Sequence, residues 1–198
     1  MESKFQNRNS LKIKVATAMM ITLTVIMALT PIGTIRLPMV SVTTAHIPIL
    51  ISTILLGFSS GFFVALSFGI MSLILALTTP TAVLSPFFVN PLISIFPRLL
   101  IPVTTYFTYK TATKLFSSLK FGNTLSIALS VAVGNLTNTF AVYTMLYFVY
   151  AQEIFEKTGQ SALNYIMAAM AISTFWKCVI IVLAVVPLIR ILQKSLRY

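Results

Sequence analysis

Long apolar runs separated by short polar stretches organise this 198-residue chain. A helix needs about 20 mostly apolar residues to cross a bilayer, and runs near that length recur along the sequence. The first predicted helix covers 14–30 and stops at Pro31. A loop carrying Arg36 and Pro38 follows over 33–44. The second helix, 46–57, is short, which implies tilt or partial submersion. Gly57, Ser59, Ser60 and Gly61 predict a tight uncharged turn into a third helix over 62–77. The segment 78–90 holds Pro80, Ser85, Pro86 and Asn90 without a charge, and reads as a folded-in loop. The fourth helix, 91–109, contains Pro97 and Pro102. Proline removes a backbone donor and kinks a helix, and membrane helices tolerate it where protein or a cavity supplies the lost partner. The fifth and sixth helices cover 123–150 and 162–193. With no internal repeat and no soluble segment, 1–198 reads as a single six-helix membrane domain.

Composition strengthens this picture. Hydrophobic residues make up 58% of the chain and charged residues 9%, against about 25% charged in a soluble domain. The mean hydropathy is +0.97. The first apolar segment is long and lacks a small-residue cleavage site, so it is expected to remain as a membrane helix rather than leave as a signal peptide.

The charge balance is 14 basic against 3 acidic residues, net +11. In a soluble protein that excess points to nucleic acid. Here the short cytoplasmic loops and the anionic inner leaflet account for it, and no nucleic-acid partner is expected. Ten basic residues fall in the N-terminal tail (Lys4, Arg8, Lys12, Lys14), the loop between helices four and five (Lys110, Lys114, Lys120) and the C-terminal end (Arg190, Lys194, Arg197). The opposite loops carry two, Arg36 and Lys157. This asymmetry predicts an all-α integral membrane protein with six transmembrane helices and both termini inside.

Polar side chains at membrane depth are expensive, and so they are the informative ones. Arg98 follows Pro97 in helix four, ~16 Å from its cytoplasmic end at 1.5 Å per residue. Lys177 lies ~22 Å from the cytoplasmic end of helix six by the same rise. Asn135 and Asn138 are three apart in helix five, share a face, and lie ~18–24 Å deep. No acidic residue accompanies them, because Glu2, Glu153 and Glu156 lie outside the spans. Two cations and two amides at similar depths suit a small ligand with negative or carbonyl character. Each has a structural alternative. Arg98 can be satisfied by carbonyls that Pro97 and Pro102 free, Lys177 can snorkel along a neighbour, and the asparagines can bind helix to helix. His46 opens helix two, where it either lines the ligand site or caps the helix. Asn90 opens helix four, again as ligand contact or cap.

Catalytic chemistry finds little footing. The spans hold no carboxylate for acid–base work, no nucleophile–base–orienter set is visible, and no phosphate-cradling glycine loop occurs. The protein is therefore not expected to be an enzyme. One histidine without nearby ligands makes no metal site, and no cofactor is implied. Cys178 is the single cysteine, lies in an apolar run, and reads as a small hydrophobe.

Several local motifs carry a family resemblance over nearly the whole chain. They are Thr44-Ala45-His46-Ile47-Pro48 with Leu55-Leu56-Gly57, Phe68-Gly69-Ile70-Met71-Ser72, Ser85-Pro86-Phe87 with Asn90-Pro91, Pro97-Arg98-Leu99, and Gly134-Asn135-Leu136-Thr137-Asn138-Thr139. Lys177 falls where a sixth-helix lysine is common. In order and spacing they resemble the substrate-binding (S) components of energy-coupling factor (ECF) vitamin transporters, nearest the pantothenate-type branch. The resemblance implies a multi-pass protein of the bacterial cell membrane that binds a small water-soluble vitamin near the outer face. It implies a transmembrane coupling subunit and two ATPase subunits as partners, with ATP hydrolysis in the latter, and release of substrate after the S component topples in the bilayer. Docking on helix one usually uses small residues four apart. Ala16 is followed at that spacing by Met20, so the strict pattern is broken, and Ala18 with Thr22, or Thr24 with Ala28, can substitute.

Pantothenate is the expected substrate. Its carboxylate suits Arg98 or Lys177, and its amide and hydroxyls suit Asn90, Asn135 and Asn138. Pyridoxine and hydroxymethylpyrimidine are the alternatives within the branch. A neutral ring would stack on an aromatic such as Trp176, Phe87, Phe88 or Tyr143, although such residues usually pack. A membrane structural or assembly protein without ligand is the alternative of a different class.

Overall fold

The computed structural model describes residues 2–30, 33–36, 41–79, 84–159 and 161–196. Among these residues six α-helices carry the fold: α1 (Glu2–Leu29), α2 (Ile47–Leu55), α3 (Phe58–Thr78), α4 (Pro91–Leu115), α5 (Gly122–Thr158) and α6 (Ala162–Leu196). Two short strands, β1 (Thr34–Arg36) and β2 (Ser41–Thr43), pair antiparallel between α1 and α2, with Ile35 opposite Val42. The loop expected over 33–44 is therefore corrected to a ribbon in its described parts. β-branched Thr34, Ile35, Val42 and Thr43 favour extended backbone, and Thr44 N–H closes the ribbon on Gly33 O at 2.8 Å.

The expected Gly57–Gly61 turn is also corrected. Gly57 alone makes it, at φ +98°, and α3 begins at Phe58. A side chain at Gly57 would be strained by that dihedral, so one residue reverses the chain and Ser59, Ser60 and Gly61 join the helix. Over 84–90 the chain forms a 3-10 turn, Ser85–Val89. Leu84 and Phe87 point inward there, 5% and 3% exposed.

Short α2 is the hub. Pro48 through Ile54 are all buried, and α2 packs against α1, α3, α4, α5 and α6. Around it, α1 packs on α3, α3 on α4, α4 on α5 and α5 on α6. The outward positions remain apolar: Met19, Phe63, Leu77, Phe107, Phe148 and Leu183 are each more than half exposed. An aqueous protein does not leave that much apolar area uncovered, whereas lipid is its natural solvent. Threonines on these helices hide their hydroxyls on the carbonyl four residues back, as in Thr24 to Met20 O at 2.8 Å and Thr137 to Val133 O at 2.8 Å. They thereby present methyl groups to apolar surroundings.

This is the all-α architecture of a multi-pass membrane protein. By length and apolarity, three segments qualify as spans among the described residues: Ser10–Leu29, Phe58–Thr78 and Gly122–Glu156. Six were expected. Helix α2, with nine residues, is only ~13 Å long, and α4 is diluted by Arg98 and its prolines.

Two apolar clusters form the core. The larger joins Ile49, Leu50, Val64, Phe68, Ile101, Val131, Ile181 and Val185 around α2. The smaller joins Leu84, Phe87, Ile93, Tyr143, Leu146, Ile154 and Ile166. Along α4, Arg98 falls between Ile93 of one cluster and Ile101 of the other. Along α5, Asn135 and Asn138 fall between Val131 and Tyr143. Along α6, Lys177 falls between Ile166 and Ile181. A polar layer thus separates two apolar ones.

Candidate functional site

Backbone chemistry places Arg98. Pro97 has no N–H, so the carbonyl four residues earlier, Ile93 O, loses its helical donor. Arg98 Nη1 replaces it at 2.6 Å. Nη2 donates to Ser72 Oγ on α3 at 3.2 Å. The guanidinium lies 5.0 Å from the Phe88 ring centroid and 5.6 Å from that of Phe68. Ser94, one turn before Arg98, donates its hydroxyl to Phe88 O, which fastens the 3-10 segment over the arginine. Arg98 is 5% exposed, and its Nε has no hydrogen-bond partner among the described residues. A carbonyl, a hydroxyl and two ring faces surround this cation, with no carboxylate against it among the described residues.

On α5, Gly134 permits the close approach that sets the register. A Cβ there would stand 2.2 Å from Thr105 Oγ1 and 2.6 Å from Leu50 Cδ2. Thr105 and Gly134 are therefore level on antiparallel helices, and Asn90 bonded to Tyr150 marks the same register further up. On it Arg98 stands level with Val142, about one turn from Asn138. At the other end Asn123 Nδ2 donates to Gln193 Oε1 at 3.0 Å, and Arg190 donates to Thr124. Counting from there places Lys177 about level with Asn138. Lys177 is half-buried, and among the described residues it makes no hydrogen bond or ion pair.

Asn135 is fully buried and Asn138 is 4% exposed. Asn135 Oδ1 lies 3.0 Å from His46 Nε2, while Asn135 Nδ2 and Asn138 Oδ1 have no partner among the described residues. Thr105 Oγ1, on the neighbouring face of α4, is also buried without one. Unmet polar atoms in an apolar interior cost free energy until something pairs with them. His46 occupies the N-cap position of α2 but makes no side-chain cap bond. It reaches α5 instead.

The structure brings Arg98, Asn135, Asn138 and Lys177 into one layer, with His46 behind Asn135. Asn90 stands apart. Its Oδ1 accepts from Leu92 N at 3.0 Å and caps α4, and its Nδ2 donates to Tyr150 OH at 3.3 Å. Tyr150 in turn packs on Phe87, centroids 4.8 Å apart. Of the candidate stacking aromatics, Phe87 is committed to Tyr150 and Phe88 to Arg98, and Tyr143 is buried in the smaller cluster. The side chain of Trp176 lies outside the described residues.

Reasoning from sequence overlooked Thr105 and Tyr150, and left Phe68, Ser72 and Phe88 without a role toward Arg98. Phe68 and Ser72 are four apart on one helical face, a pairing that was visible but has meaning only once α4 is known to lie against α3. On α1, Ala18 and Thr22 are exposed, in a face with Val15, Met19 and Ile26, whereas Thr24 and Ala28 are buried.

Comparison with known proteins follows this geometry. The family model described as "ECF transporter, substrate-specific component" matches residues 14–189, reaching from α1 to α6. The pantothenic acid transporter PanT of Lactococcus lactis subsp. cremoris (strain MG1363) is 30% identical over 169 residues, covering 77% of this chain and 78% of that protein.

Proposed function

The chain belongs to the family of substrate-specific components of ECF transporters, and from that premise we propose that it is the subunit that captures pantothenate for import. As a member it is a multi-pass protein of the bacterial cell membrane that works in transport, and membership implies partner subunits. In our reading these are a transmembrane coupling subunit and two ATPases that hydrolyse the ATP, so that this chain binds and performs no chemistry. The bundle crosses the membrane six times with both termini inside. Exposed Lys110, Lys114, Lys120, Arg190 and Lys194 support that orientation, because the side-chain bonds from Asn123 and Arg190 bring the α4–α5 connection and the end of α6 together.

One observation carries the substrate reading. The polar layer holds two cations, Arg98 and Lys177, and two asparagines with unpaired amide atoms, without an acidic side chain among the described residues. Such a layer complements a ligand with one carboxylate and neutral hydrogen-bonding groups, and that is the chemistry of pantothenate. The name of the Lactococcus relative supports the same choice. Lys177 and Arg98 supply positive potential for the carboxylate, and Asn135 and Asn138 meet the amide and hydroxyls. His46 and Asn90 support the site from behind and from its mouth. Exposed Ala18 and Thr22 form the docking face, and Thr22 turns its hydroxyl to Ala18 O at 3.0 Å, which leaves its methyl outward.

Titration of the detergent-purified protein with pantothenate, with pyridoxine as comparison, tests this. Saturable pantothenate binding that weakens at least about tenfold in Lys177→Met is expected, since charge-assisted bonds are worth roughly 1.5–3 kcal/mol. Binding of pyridoxine alone would overturn the reading of the charges. Binding of neither would favour a structural role.

A further inference from the structure

Asn135 and Asn138 lie one turn apart on the inward face of α5 and are both buried. Their amides are not equivalent. Asn135 Oδ1 faces His46 Nε2 at 3.0 Å. Because a carbonyl oxygen only accepts, this contact is a hydrogen bond in the tautomer that carries its proton on Nε2. Fixing the oxygen this way points the other half of the amide, Nδ2 with its two N–H donors, away from the histidine, where no acceptor among the described residues meets it. Asn138 presents the reverse, a buried Oδ1 with no donor. The layer therefore offers a donor at Asn135 and an acceptor at Asn138.

Resting on the substrate reading above, we infer that His46 is a positioning residue: it fixes the polarity of the Asn135 amide so that the site selects a ligand carbonyl there. Without His46 the amide is free to rotate half a turn and present its oxygen, and the preference for a carbonyl disappears. Asn138 then reads a hydroxyl or amide hydrogen close to that carbonyl. In this role His46 acts on the ligand through Asn135 rather than by direct contact. A hydroxy-amide satisfies both groups. A ligand with two acceptors and no donor leaves Asn138 unmet.

Two experiments decide this. The first compares pantothenate with its thioamide analogue, whose sulfur is a poor acceptor. Wild-type protein should prefer the amide by about tenfold or more, the worth of one buried hydrogen bond. His46→Gln, which keeps a side-chain N–H donor, should retain that ratio. His46→Leu and Asn135→Ala should bring it close to one. A preserved ratio in His46→Leu, or no preference in the wild type, overturns the inference. The second needs no ligand. His46 is the single histidine, so ¹⁵N-histidine labelling gives one imidazole spectrum. Nε2 should be protonated, and its signal should shift in Asn135→Leu. An unprotonated Nε2 overturns the inference even if pantothenate fails to bind, a failure that by itself counts against the substrate reading.

Discussion

The bond between Arg98 and Ile93 O makes a quantitative prediction about Pro97. Replacing Arg98 by Met removes a 2.6 Å bond to Ile93 O, a 3.2 Å bond to Ser72 Oγ, and two ring contacts at 5.0 and 5.6 Å. Hydrogen bonds to a charged group contribute about 1.5–3 kcal/mol each and cation–π contacts about 0.5–2 kcal/mol. Against them stands a penalty of several kcal/mol for holding a guanidinium out of water. These terms oppose each other, so the single substitution has no fixed sign. The Ile93 carbonyl does. Pro97 cannot donate to it, so Arg98→Met strands a buried acceptor at about 1–3 kcal/mol. Pro97→Ala restores an N–H at the position that bonds Ile93 O in a regular helix. In that background Arg98→Met strands nothing. A double-mutant cycle therefore isolates the orphaned carbonyl: Arg98→Met should be about 1–3 kcal/mol less costly in the Pro97→Ala background than in the wild type. SDS-induced unfolding of the four proteins in mixed micelles measures it. Equal costs in both backgrounds, within a few tenths of a kcal/mol, would refute the assignment of Arg98 as the replacement donor.

Two further outcomes follow from packing and exposure. Gly134→Ala places a methyl against Thr105 and Leu50. Overpacking of about 1–3 kcal/mol should outweigh the roughly 1 kcal/mol that alanine gains over glycine in a helix, so unfolding shifts to lower SDS, and a shift to higher SDS would contradict the contact. On α1, Ala18→Trp should abolish uptake by whole cells while the purified protein still binds pantothenate. Thr24→Trp, buried at 0% exposure, should instead lower stability and binding together, and the reverse pattern would place the docking face on the other side of the helix.

Much of the site was legible as residue types and little of it as contacts. Arg98, Asn135, Asn138 and Lys177 stood out because each is polar in an apolar run, a signal that needs no structure. The alternative reading of Arg98, satisfaction by a carbonyl that proline frees, was also legible, since Pro97 and the four-residue step identify Ile93 directly. Asn90 looked equally suited to cap and to ligand, and its bonds to Leu92 N and Tyr150 OH make it a cap and a tether. His46 looked equally suited to cap and to site, and its reach to Asn135 is a contact between residues 89 positions apart.

Sequence alone indicated the apolar solvent, the helical segments though not their ends (α1 begins at Glu2 rather than 14, α4 runs to Leu115 rather than 109 and α5 to Thr158 rather than 150), and the position of each polar group along them. Hydropathy, proline placement and charge asymmetry report transfer free energies that hold residue by residue. The tertiary structure decided rotation. A helix in water declares its buried face by amphipathic contrast, but lipid is as apolar as the protein interior, so the spans Ser10–Leu29 of α1 and Phe58–Thr78 of α3 are largely apolar and their sequences do not say which side faces in. Only packing separated exposed Ala18 and Thr22 from buried Thr24 and Ala28, set Phe68 and Ser72 against Arg98, and turned Asn135 toward His46.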